Sequence, residues 1–322
     1  MLPFRLSIAD NFDAALAEYS ESKSTLIAGG IDLLDQMKEQ ILTPESVLSI
    51  GRLTELNYIR VEDDGVHIGS GCTLADISRH DLLAREYRGF HHSAAKAATP
   101  QIRERATVGG NLCQRPRCWY FRNSEFDCLK KGGYTCFAVE GENRYHAVFG
   151  EGPCHIVHPS NIAPALVALD AFLVVNSMEN HEQRYPVVDF FKMPHEMLYS
   201  ENLLRPGQII SEVILPKRPS HSASIEFREK QSFDWPLVSC CVARIDKKWR
   251  VCLGGVAPIP WLSHSAMKVL GDKDVTPELA ALAGDAAVEG ADPMSDNDYK
   301  LAMIKVATKR SLLAASGIEV PL

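Results

Sequence analysis

No run in this chain is apolar for long enough to cross a bilayer, so no membrane span is expected. The amino terminus, MLPFRLSIADNFDAAL, lacks a basic leader followed by a continuous apolar stretch, and no export signal of the chain's own is expected. Lysine and arginine form only short clusters, and 34 of them against 41 acidic residues leave a formal charge of -7. A phosphodiester backbone would find no electrostatic footprint here, which excludes nucleic acid as an expected partner. Internal repeats and low-complexity segments are also missing. The nine cysteines form neither the C-x2-C pairing of zinc ribbons nor the tight run of bacterial ferredoxins. An odd count without a secretory leader argues against a disulfide framework, and for reduced thiols and metal in a reducing compartment, by default the cytoplasm. What the chain does have is 322 residues, 46% of them hydrophobic, enough for two or three units with a sizeable core.

Five of the nine cysteines lie between Cys113 and Cys154. Four of them, Cys118, Cys128, Cys136 and Cys154, are separated by nine, seven and seventeen residues. Thiolate is the soft ligand of iron-sulphur clusters and zinc, and the nearby Arg115, Arg117, Lys130 and Lys131 would lower thiol pKa and offset a cluster's negative charge. Spacing alone leaves buried free thiols or disulfides open as alternatives, and Cys113 open as a substitute ligand. Cys240, Cys241 and Cys252 sit in apolar strand-like runs and read as packed core thiols. His146, His155 and His158 read as surface or hydrogen-bonded side chains rather than ligands.

The coarse pattern is mixed α and β. Asp10 or Asn11 can cap a helix through Tyr19, residues 24–28 form a strand, and Ile31, Leu33, Leu34 and Met37 share a helical face. A hairpin covers 58–68, a helix follows Thr73, and Pro100 interrupts a helical stretch from 93 to 106. Beyond Pro159 come a helix at 162–169 and strands at 172–176 and 208–215. After a linker at 216–220, an antiparallel pair at 237–245 and 250–256 precedes helices near 263–270, 276–288 and 298–315.

Two glycine pairs interrupt this pattern. Glycine lets backbone N–H groups approach a phosphate, and a following helix start adds its positive end. Ala28-Gly29-Gly30 has that strand-to-helix placement without the G-x-G-x-x-G of a Rossmann site, and Gly109-Gly110-Asn111 is the second pair. Two glycine loops with thiols between them and later elements suggest one redox polypeptide with two centres.

The stretches 27–34 (IAGGIDLL), 107–112 (TVGGNL), 158–171 (HPSNIAPALVALDA) and 253–258 (LGGVAP) resemble the FAD-binding medium subunit of the molybdenum hydroxylases, the xanthine dehydrogenase and aldehyde oxidoreductase family. The resemblance runs nearly end to end. Cys118, Cys128, Cys136 and Cys154 resemble the extra loop that binds a 4Fe-4S cluster in two branches, the 4-hydroxybenzoyl-CoA reductase flavoprotein subunit and the medium subunit of three-subunit bacterial aldehyde oxidoreductases. The longer spacer at 141–146 is closer to the second.

The resemblance implies an α+β chain with three parts. Residues 1–216 would form a two-part FAD-binding fold of the vanillyl-alcohol oxidase type with a boundary near 55, residues 113–156 an iron-sulphur loop insertion, and residues 221–322 a C-terminal α+β domain. It also implies that the backbone of Ala28, Gly29, Gly30, Asp32 and Leu33 faces the FAD pyrophosphate, with donors from Thr107, Gly110 and Asn111 and with Gly109 in the same loop. Ile31 stands where the family has threonine, and Asn161 replaces a carboxylate with an amide. Ile210 and Lys230 match positions that contact the adenine or isoalloxazine edges. The implied partners are a large molybdopterin subunit and a small 2Fe-2S subunit, as a heterotrimer or a dimer of heterotrimers, and an external electron acceptor or donor. An export signal on a partner would move the complex to the periplasm. No positioned acid-base set is visible, so no catalytic residue is expected in this chain. The alternatives are a stand-alone flavin oxidoreductase of the same fold and an aromatic acyl-CoA reductase flavoprotein working in the reductive direction, with a zinc-stabilised interaction protein as a rival of another class.

Overall fold

Three sheets follow one another along the chain in the computed structural model, which describes residues 1–230 and 233–319. The first is parallel, with β1 (Arg5–Ile8), β2 (Thr25–Ile27) and β3 (Ser46–Ser49) in the order β1-β3-β2. Asn11 starts its covering helix, Phe12–Glu21, by accepting a hydrogen bond from the Ala14 amide at 2.8 Å. Ala15 and Leu16 of that helix bury against Leu48, Leu53 and Leu56.

The second sheet contains β4 (Ile59–Glu62), β5 (Gly65–Gly69), β6 (Phe172–Asn176), β7 (Gln183–Pro186) and β8 (Ile209–Leu215). All its pairings are antiparallel, in the order β4-β5-β8-β6-β7. Thr73 and Asp76 form a reciprocal capping box that starts the helix Leu74–Arg79, and the helix Ala163–Ala168 is buried along its whole length.

The third sheet holds β9 (His221–Phe227), β10 (Val238–Ile245), β11 (Lys248–Gly254) and β12 (Trp261–Leu262), antiparallel in the order β12-β11-β10-β9. Because successive side chains alternate, Cys240 and Val242 face the helices His264–Leu270, Pro277–Ala286 and Tyr299–Ala315, while Cys241 and Ala243 join the core of the second sheet. Both faces are therefore buried, and Cys240, Cys241 and Cys252 are packed free thiols. Among the described residues no helix is long and apolar enough to cross a membrane.

Three local features differ from the sequence expectation. The strand β9 begins directly after the 216–220 segment, and its serines hid it from a hydrophobicity pattern. Ser222 and Ser224 are buried and bonded, accepting from the Gly89 amide at 3.2 Å and the Ser93 hydroxyl at 3.0 Å. Pro100 opens the helix Pro100–Arg103, with Thr99 as its cap, because proline's missing N–H is unneeded in a first turn. The second glycine pair belongs to a short helix, Val108–Leu112.

Candidate functional site

Between the end of β2 and the helix Leu33–Lys38, the chain crosses the tip of the first sheet as Ala28-Gly29-Gly30-Ile31-Asp32. A Cβ on Gly29 would lie 1.8 Å from the Arg105 carbonyl oxygen, and Gly30 has φ +79°, so neither position tolerates a side chain. The amides of Gly29, Gly30, Ile31, Asp32 and Leu33 donate to no acceptor among the described residues. They line a cavity of about 1130 Å³ of empty space. Consecutive unpaired N–H groups ahead of a helix are an anion cradle.

The second glycine pair works differently from what its sequence suggested. Thr107 caps the short helix with its hydroxyl oxygen on the Gly110 amide at 3.1 Å, the Gly109 amide donates to the Ser70 carbonyl at 2.9 Å, and the Asn111 amide to the Thr107 carbonyl at 2.8 Å. Those backbone donors are spent because the segment is a helical turn. The Thr107 hydroxyl hydrogen and the Asn111 side-chain amide remain, the latter held by Ser160 Oγ donating to Asn111 Oδ1 at 2.6 Å. Gly109 packs on Ser70, whereas among the described residues a Cβ on Gly110 would meet only Thr107 Oγ1, at 2.9 Å. Gly110 is bare toward the cavity.

Ala28, Thr107 and Gly110 also line a second cavity of about 1400 Å³, with Arg52, Asn57 and Ile210 in its wall. Asn161, Ala98 and Trp235 line the first. Ala28, Thr107 and Gly110, which line both, thus form the waist of a two-armed site, a shape that fits a dinucleotide with its pyrophosphate in the middle. Ile31 sits at the rim, 37% exposed. Lys230 is exposed, donates its backbone N–H to Asp234 at 3.4 Å and lines neither arm.

The carboxylate of Asp32 points away from the role its backbone plays. Oδ1 receives Arg117 at 2.8 Å and Arg122 at 2.6 Å, and Oδ2 receives the Arg115 amide at 2.9 Å and Gln36 at 2.8 Å. The cysteine segment is thereby tied to the first glycine loop. A second tie is Glu201, 3% exposed in its side chain, with Arg115 at 2.7 Å and Lys130 at 2.8 Å. A third runs to the C-terminal domain. Lys300 Nζ donates to the carbonyls of Tyr145, His146 and Gly255 at 3.1, 2.9 and 2.7 Å, and Asn297 Nδ2 reaches those of His146 and Ala147 at 3.2 and 3.1 Å.

Inside this tethered segment Cys118, Cys128, Cys136 and Cys154 line one pocket of about 300 Å³ of empty space, with Lys130, His146 and His155. All four are free thiols. Cys136 and Cys154 share a hydrogen bond that pushes the Cys136 thiol down and the Cys154 thiol up, while burial pushes Cys118 up to about 11. His146 Nε2 lies 3.2 Å from Cys118 Sγ, and burial pushes this imidazole down to about 4, so it is neutral near pH 7. Among the described residues no carboxylate lines the pocket, and four thiols, with the imidazoles of His146 and His155 beside them, form a soft donor set that fits an iron-sulphur cluster. Cys113 lies apart, in the wall of both glycine-loop cavities. The sequence reading missed Arg52 and Trp235 as cavity residues and noted Arg117 only as a nearby cation. Residues so far apart in sequence carry no local signal for a shared wall.

A family model described as the FAD binding domain in molybdopterin dehydrogenase matches residues 2–218, and one described as the CO dehydrogenase flavoprotein C-terminal domain matches 223–315. The chain belongs to the FAD-binding medium subunits of the molybdenum hydroxylases. This medium subunit is 34% identical over 313 residues to the aldehyde oxidoreductase FAD-binding subunit PaoB of Escherichia coli (strain K12), covering 95% of this chain and 96% of that protein. It is 26% identical to the carbon monoxide dehydrogenase medium chain of Hydrogenophaga pseudoflava, with 91% and 90% covered. The same fold occurs in the structure of carbon monoxide dehydrogenase from Hydrogenophaga pseudoflava lacking the Mo-pyranopterin moiety, with TM-score 0.76, 24% identity, and 98% and 99% of the chains covered. The medium subunit is thus an FAD-binding oxidoreductase component.

Proposed function

We propose that this medium subunit holds FAD across the two glycine-lined arms and one 4Fe-4S cluster on Cys118, Cys128, Cys136 and Cys154, as the electron-transfer component of an aldehyde oxidoreductase type of molybdenum enzyme. Its partners are a large molybdopterin subunit and a small 2Fe-2S subunit, and an external acceptor or donor completes the electron flow. The observation that carries this reading is the convergence of four thiols, scattered over 37 positions of sequence, on one pocket beside the FAD site. The similarity to a named aldehyde oxidoreductase subunit over nearly the whole chain supports the enzyme type.

Bound FAD and cluster together supply exchange between one-electron and two-electron carriers. The chain's own residues hold and screen them. The free amides from Gly29 to Leu33 receive the pyrophosphate, Thr107 and Asn111 add a hydroxyl and an amide, and bare Gly110 leaves room for it. Asn161 presents an amide to the flavin arm, and Lys130, whose side chain is 2% exposed, sets a cation beside the thiolates.

Replacing any one of Cys118, Cys128, Cys136 or Cys154 with serine in the purified complex should deplete iron and acid-labile sulphide, and abolish the paramagnetic signal of the reduced cluster, while FAD stays bound. Cys113→Ser should keep both. Zinc in place of iron, or loss of the cluster from Cys113→Ser with retention in Cys118→Ser, would overturn the ligand set.

A further inference from the structure

Arg117 is the residue of the FAD-cavity wall that is bonded directly, through one peptide unit, to a member of the cysteine set. It lines the Asn161 arm, and its neighbour Cys118 lines the cysteine pocket. Both also line a third cavity of about 1040 Å³ between the two sites. The Arg117 guanidinium lies 4.9 Å from the centroid of the Trp235 ring, and its Nε is buried without a hydrogen-bond partner among the described residues. Its orientation is imposed from behind. Asp32 takes one terminal nitrogen at 2.8 Å and Asp35 the other at 3.4 Å, and Asp32 also belongs to the amide cradle through its backbone. One residue thus gives its N–H to the cofactor site and its charge to the strand of chain that enters the cysteine pocket.

From this we infer that Asp32 is a positioning residue that fixes Arg117 between the two centres, and that the Arg117-Cys118 segment is the route by which electrons cross between FAD and cluster. The inference rests on the reading of both centres given above. Each crossing moves a single electron from one centre to the other, forms or breaks no bond, and needs no further reagent. Arg117 has a second effect on the flavin arm: its positive charge favours the negative charge that FAD gains on reduction, and Asp32 offsets part of it.

The test uses the intact complex. In Asp32→Asn the shape is kept and the offsetting charge is lost, so the flavin reduction equilibrium should shift toward the reduced form by tenfold or more, about 30 mV for a two-electron couple. Arg117→Gln should shift it the opposite way and slow electron crossing after rapid reduction at least tenfold, whereas Arg117→Lys, which keeps the charge, should hold the potential near native. Iron and FAD contents are measured alongside, and if Asp32→Asn loses either, the Arg117→Gln and Arg117→Lys pair decides. Native potentials and native crossing rates in Arg117→Gln, with FAD and iron both present, would overturn the inference alone. A native complex without iron or FAD would instead overturn the functional reading beneath it.

Discussion

Gly110 shows how a missing side chain can be traced to a ligand rather than to the fold. Gly29 and Gly30 are demanded by a carbonyl contact and a positive φ, and Gly109 by packing on Ser70, but around Gly110 only the Thr107 hydroxyl is near. A branched side chain there would fill the waist of the two-armed site and push on the cap that Thr107 provides. Gly110→Val should therefore lower FAD content to less than about a tenth of native with only a modest change in stability, since a weakened cap costs about 1 kcal/mol. Flavin released on acid denaturation, set against protein concentration, measures it, and full occupancy would exclude this glycine from the cofactor site. Both glycine pairs were visible in the sequence as glycine pairs. Which of their N–H groups remain free was not, because Ser70 and the Thr107 side chain reach the second pair only in the folded state.

The cysteine segment, residues 113–156, is held to the rest of the fold by single side chains. It has no strand in any of the three sheets and is held by Asp32, Glu201, Asn297 and Lys300 instead. Lys300 is 1% exposed, and burial pushes its ammonium down to about 7 from an ordinary 10.5. Between those two pH values the unfolded chain binds a proton that the folded chain has released, so this group makes stability rise as pH goes from about 7 to about 10. Lys300→Met strips three carbonyls of their donor and should destabilise the subunit at pH 7 by about 2 kcal/mol. The alkaline rise should vanish with it, so denaturant midpoints at pH 7 and pH 9.5 should show the gap between native and variant widening. A gap that stays constant would mean that the ammonium stays charged throughout. The helices and the β10–β11 pair were legible because their apolar periodicity is strong, and the cysteine set because thiols concentrate in one stretch. Strand β9 was not, since Ser222 and Ser224 satisfy their hydroxyls inside the core and leave a polar pattern on the page. Nor were the tethers of the insert, which join residues up to 155 positions apart.

On the scale of the whole molecule, the proposed electron-transfer role calls for partner subunits. Leu6 and Ile8 on the edge strand β1 are 57% and 45% exposed, and Tyr134 in the cysteine segment is 98% exposed. Tagged chain expressed with its genomic neighbours should recover a large molybdopterin subunit and a small 2Fe-2S subunit in equal amounts, with a mass by light scattering equal to one or two copies of the trimer. A stable monomer that turns over substrate at the full rate would contradict it.

The joint between insert and C-terminal domain also bears on how this protein can change over time. In the cysteine segment Lys300 and Asn297 bond to main-chain carbonyls at 145–147, and every amino acid supplies the same carbonyl. Tyr145 can therefore drift among related sequences without loosening the grip, whereas the two residues that do the gripping cannot. A stretch that looks unconstrained in a comparison of descendants would be among the most firmly fixed places in the molecule.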